Sequence, residues 1–147
     1  MLTASYTLTT TTTLGHEEAV DRVRQELQKE GFSVLCEINV AAKLNEKLGV
    51  NRGPYMILGA CMPALAHRSL THEPDLGALL PCNVAVYRLE AQTHIAAVDP
   101  RRMLSIVGNP DLEPIAADVR ERLAAVVERA ASKSAKEQDA SVAQCER

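Results

Sequence analysis

The side chains best suited to chemistry are two cysteines, in Gly59-Ala60-Cys61-Met62-Pro63 and in Leu80-Pro81-Cys82-Asn83-Val84. Cys61 stands two residues before Pro63, and proline suits the first turn of a helix. A thiol at a helix N-terminus is stabilised as thiolate by backbone N–H groups and the helix dipole. The same residue equally suits a tight strand-to-helix junction beside Gly59 and Ala60, as a small apolar filler. Cys82 opens a predicted strand, on one face with Val84 and Val86. If the strands bearing the two cysteines are antiparallel neighbours, their sulfurs meet at one end of a sheet. A disulfide, a thiol relay or half a soft-metal site would then be within reach. A single helix between neighbouring strands commonly makes a parallel crossover instead, which would set the sulfurs far apart.

His67 is the candidate partner base, forming with Cys61 a thiolate–imidazolium pair; the alternative is a histidine facing solvent. His67 and His72, five residues apart on a helix, point about 140° away from each other and cannot share a metal. Gly59, where backbone approach is easy, and Asn83, beside Cys82, complete the candidate ligand or redox set. His16 and His94 have no partner visible in the sequence. No C-x-x-C pair, no glycine-rich phosphate loop and no H-E-x-x-H or G-x-S-x-G motif is present. No catalytic residue, metal site or cofactor is assigned.

These residues must be positioned by elements that the apolar spacing outlines. A threonine-rich extended strand over residues 3–13 precedes a helix over about 16–30, whose Val20, Val23 and Leu27 share a stripe. Phe32, Val34, Cys36, Ile38 and Val40 alternate as a strand, which puts Cys36 in the core. A short helix near 42–48 and a loop at 51–54 follow. Tyr55–Ala60 reads as a strand buried on both faces, and Pro63 starts a helix ending near His72. Strands at 79–87 and 93–98 pair as a hairpin, a short helix covers 101–107, and a long one runs from about Pro110 to Ser132.

The chain has 147 residues, 46% hydrophobic and 24% charged, which fits one domain with a core of ordinary size. The only aromatic residues of the Phe, Trp and Tyr group are Tyr6, Phe32, Tyr55 and Tyr87, so that core is aliphatic. Sixteen basic against nineteen acidic residues leave a net charge of −3, which argues against nucleic acid as a partner. No apolar run reaches the ~20 residues of a membrane span, and no secretory signal is read at the N-terminus. Four cysteines in such a chain are expected as reduced thiols in a cytoplasmic protein.

Several phrases in their order resemble the domain of unknown function 302 family. They are Glu30-Gly31-Phe32, Glu37-Ile38-Asn39-Val40, Glu46-Lys47-Leu48-Gly49-Val50 and Ile57-Leu58-Gly59-Ala60-Cys61. Ala66-His67, Gly77 to Val84 and Val98-Asp99-Pro100 complete the set, over about residues 6–130. Met62 stands where the family usually has asparagine. The resemblance implies a compact α+β fold, often homodimeric, and supplies no activity.

The resulting expectation is one α+β domain over residues 1–132, a single sheet of about five strands with helices on one face. Residues 133–147, including Cys145, are expected to form a disordered tail. The expected function is a homodimeric binding module for a small molecule or a protein. The alternative is a thiol-based redox, metal-binding or haem-binding protein using Cys61 with Cys82 and His67.

Overall fold

The threonine-rich stretch expected as one strand forms two in the computed structural model, β1 (Leu2–Ala4) and β2 (Thr7–Thr12), paired antiparallel. The structure describes residues 2–4 and 6–132; the expected tail and Cys145 lie outside the described residues. Helix α1 (His16–Lys29) follows and ends at Gly31, whose φ of 88° only glycine adopts easily. Next come β3 (Ser33–Asn39), α2 (Val40–Leu48), β4 (Tyr55–Cys61) and α3 (Pro63–His72). A 3₁₀ turn over Pro74–Leu79 leads to β5 (Cys82–Leu89) and β6 (Gln92–Val98). Helix α4 (Pro100–Ser105), a second 3₁₀ turn (Pro110–Leu112) and α5 (Glu113–Ala131) complete the described chain.

Among the described residues the strands form one antiparallel sheet, ordered β1-β2-β6-β5-β4-β3. This is the expected α+β class. One face carries the core: Leu8, Leu58, Val84, Val86, Ile95 and Ala97 meet α1 through Val20, Val23 and Leu27, and α5 through Leu123, Val126 and Val127. Each valine, leucine or isoleucine among them contributes roughly 1.5–3 kcal/mol by leaving water. The apolar stripes of α1 and α5 point inward because their 3.6-residue period keeps one face on the sheet.

The alternation of β3 breaks where the sequence reading assumed it continued. Val34 is opposite Ala60 and Cys36 is opposite Gly59, so Leu35 is an extra residue in a β-bulge. Beyond the bulge the phase reverses: Cys36 and Ile38 lie exposed on the sheet face away from α1 and α5. Cys36 is therefore not a core residue. Val40, expected as the last strand residue, begins α2 instead, because Asn39 caps that helix by accepting from the Ala42 N–H at 2.9 Å. Tyr55–Ala60 is likewise not buried on both faces. Met56, Leu58 and Ala60 point to the core, while Tyr55 and Ile57 stand half-buried on the open face.

Candidate functional site

Strands β4 and β5 are antiparallel neighbours, with Ala60 opposite Cys82. This is the topology that brings Cys61 and Cys82 to the same end of the sheet; α3 and the 3₁₀ turn connect neighbouring strands without a parallel crossover. Both residues line a cavity of about 40 Å³ between the sheet end, α3, α4 and α5, together with Phe32, Leu65, Ser69 and Met103. The two thiols remain free. Cys82 shares its face with Ala60, and Cys61 is the last residue of β4, where the strand gives way to α3.

Burial governs both thiols. It pushes the Cys61 thiol above its ordinary value and Cys82 up to about 11, with Cys61 nearby adding to the latter. An anion in an apolar pocket loses its hydration, which disfavours the thiolate at both positions. The cavity walls are almost entirely apolar, and the Ser69 hydroxyl already donates to Leu65 O at 2.7 Å. His67 is exposed on α3, whereas Leu65, Ala66 and Ser69 of that helix turn inward to the cavity. It does not line that cavity. Among the described residues no group of three His, Cys, Asp or Glu side chains is arranged to hold a metal ion.

The remaining candidates, Gly59 and Asn83, face each other in register on the opposite, open face of the sheet. Gly59 is needed there: a β-carbon would lie 2.6 Å from Cys36 Sγ and 2.7 Å from Pro81 Cγ. The predicted site residues thus divide between two faces of one sheet.

The open face carries a larger feature that sequence reasoning missed. Tyr55, Tyr87 and His94 stand opposite one another on β4, β5 and β6. Their rings stack across the strands, with centroids 5.1 and 5.0 Å apart and planes within 9° and 4°. Arg52 lies over Tyr55 at 5.4 Å. Two residues along each strand the side chains become short: Ile57, Ala85 and Ala96 in one row, Gly59, Asn83 and Val98 in the next. A ridge of rings beside a low floor leaves an open hollow of about 760 Å³, bounded also by Tyr6, Arg88 and Leu89. A signal for it was present in the sequence, since Tyr55 and Tyr87 are out of phase with the core residues of their strands. The register that stacks them was not.

Among the described residues no helix is long and apolar enough to cross a membrane. Residues 7–130 match the family described as Domain of unknown function DUF302. The crystal structure of an uncharacterised conserved DUF302 protein from Bacillus stearothermophilus is similar at 35% identity, with a TM-score of 0.80. The match covers 86% of this chain and 99% of that one. No curated protein matches.

Proposed function

Because this chain belongs to the DUF302 family, which brings no assigned reaction, we propose that it acts by binding and that the open sheet face is its working surface. The observation that carries this reading is the hollow beside the Tyr55–Tyr87–His94 ridge. Its volume falls within the roughly 300–1,000 Å³ typical of small-molecule sites, and its floor is mostly apolar with a few polar groups at the rim. The outward side chains of β4, β5 and β6 bordering it include no carboxylate, whereas a sheet face that only meets water is ordinarily polar. The cavity at Cys61 and Cys82 is too small for a metabolite, and its thiols, one half-buried and one buried, are both raised above the ordinary value and poorly suited to nucleophilic or redox work near neutral pH.

The protein works as a homodimer in this reading. Support comes from the flank formed by β3 and α2, where Leu35, Ile38, Leu48 and Val50 are all exposed and no residue of α2 is buried.

The test is a thermal-shift screen against metabolite classes, run beside an Ala85→Arg variant that fills the hollow. A ligand at 100 times its dissociation constant adds roughly 2.7 kcal/mol. At least one class should raise the melting temperature of the wild type and leave the variant unmoved. Flat curves throughout, or equal shifts in both proteins, sink the reading.

A further inference from the structure

We propose that the cavity at the end of β4 and β5 binds one soft monovalent metal ion, Cu(I), through the thiols of Cys61 and Cys82 and the thioethers of Met62 and Met103. The site lies on the helix-covered side of the sheet, apart from the open-face hollow.

Sulfur is gathered there. The chain has four cysteines and four methionines, of which Met1 and Cys145 lie outside the described residues. Of the rest, only Cys36 and Met56 stand away from this cavity; the other four line it. They arrive from separate elements. Cys61 ends β4, Met62 is the N-cap residue of α3, Cys82 opens β5 and Met103 belongs to α4. Both methionines are half-buried and pack against the core. Beyond the effect of burial, the charge of a Cys61 thiolate raises the Cys82 thiol, so the two sulfurs are within electrostatic reach of each other.

Thiolates and thioethers are soft donors and suit Cu(I). Hard cations need several oxygens, and the one hydroxyl bordering the cavity, that of Ser69, is engaged with Leu65 O. Structural zinc takes four ligands from cysteine, histidine and carboxylate, and neither of the last two lines the cavity. Charge then selects the valence. No charged side chain borders the site, so a buried ion must be neutralised by its own ligands. One thiolate neutralises one Cu(I), and the thioethers add no charge; a divalent ion would require both thiols to ionise. The volume of about 40 Å³ is little more than the roughly 30 Å³ share of one water molecule, which leaves room for an ion. On binding, a Cu–S bond forms, the S–H bond breaks and the proton leaves to solvent, while copper stays Cu(I) and nothing is oxidised. Cys61, half-buried where Cys82 is buried, is the sulfur whose proton has the shorter way out.

Cu(I) itself is the probe, titrated without oxygen into the reduced full chain in competition with bicinchoninate. Copper K-edge absorption is read on the loaded protein. The chain should retain one Cu(I) in a shell of sulfur alone. Cys36→Ser with Cys145→Ser should retain it equally, since Cys36 lies on the other face of the sheet. Met62→Leu with Met103→Leu conserves side-chain volume. That variant should weaken Cu(I) by about tenfold or more, the scale on which even the supporting partners of metal ligands act. Cys61→Ser should abolish retention, and melting curves taken without copper confirm that each variant is folded. No retention by the wild type overturns the site. So does loss of retention in the Cys36→Ser, Cys145→Ser variant, which would place the copper on those thiols. Unchanged affinity in the double leucine variant overturns the thioether ligands, and displacement of Cu(I) by Zn(II) overturns the monovalent assignment.

Discussion

Cys36 Sγ occupies the space above Gly59, 2.6 Å from where a β-carbon on that residue would lie. Pro81 closes the other side at 2.7 Å. Gly59→Ala should therefore destabilise the protein by about 1–3 kcal/mol, as overpacking does. Pairing it with Cys36→Ala should restore only part of the loss, because the proline ring cannot turn away as a thiol can. Chemical denaturation of the two variants checks this. Full recovery in the double variant would mean that Pro81 yields freely.

The stacked row gives a second expectation. Tyr87 is the middle ring, so Tyr87→Ala removes two stacked contacts and Tyr55→Ala removes one. With each contact contributing about 0.5–1.5 kcal/mol beyond area burial, the first variant should lose more stability than the second. A double-mutant cycle between Tyr55 and Tyr87 should give a coupling energy in that range; additive losses would show that the rings are merely adjacent.

Alkaline pH should expose the burial of Cys82. Its thiol is raised to about 11 in the folded chain from an ordinary 9.0. A group whose folded value is raised contributes stability that is full below the unfolded value and is lost as pH rises through the folded one. The wild type should lose roughly 2–3 kcal/mol between pH 9 and 11 relative to Cys82→Ala. Parallel pH profiles for the two proteins would contradict the assignment.

Thiol reactivity separates the cysteines by position. Cys36 is exposed, Cys61 half-buried with a raised value, and Cys82 buried. Brief iodoacetamide treatment of the native protein near neutral pH, read by mass spectrometry, should label Cys36 first and Cys82 last among these three. Labelling of Cys61 ahead of Cys36 would revive the thiolate expected at the start of α3.

The proposed dimer is tested on the β3–α2 flank. Leu35→Lys combined with Leu48→Glu places charges on two of its exposed apolar positions. Sedimentation should show a wild-type dimer and a monomeric variant that still melts cooperatively, at a temperature that no longer depends on protein concentration. A wild type that sediments as a monomer at all concentrations rules the dimer out.

Much of the architecture was legible because periodicity reports burial. The stripes of α1 and α5, the start of α3 at Pro63 and the alternation of Val84 and Val86 all reflect which side chains leave water. What escaped depended on atoms far apart in sequence. The bulge at Leu35 left no local mark, since Phe32 to Val40 alternates as a regular strand would. The meeting of Tyr55, Tyr87 and His94 required the register of three strands. Cys61 and Cys82 were noticed for their chemistry, yet the solvation that decides their chemistry belongs to the walls around them. His67 could not be assigned a direction without knowing which side of α3 meets the core.

The extra residue at Leu35 has a consequence for the margin of the sheet. Strand β3 lies at one end of the strand order, so among the described residues its outer backbone groups have no partner strand. A regular ladder there would offer foreign chains a template on which to zip and grow. The irregular rung between Val34 and Cys36 interrupts that template. Deleting Leu35 would leave Val34 and Cys36 on their present faces while straightening the margin. The cost of such a deletion should therefore appear less in folding than in the concentration at which the protein begins to aggregate.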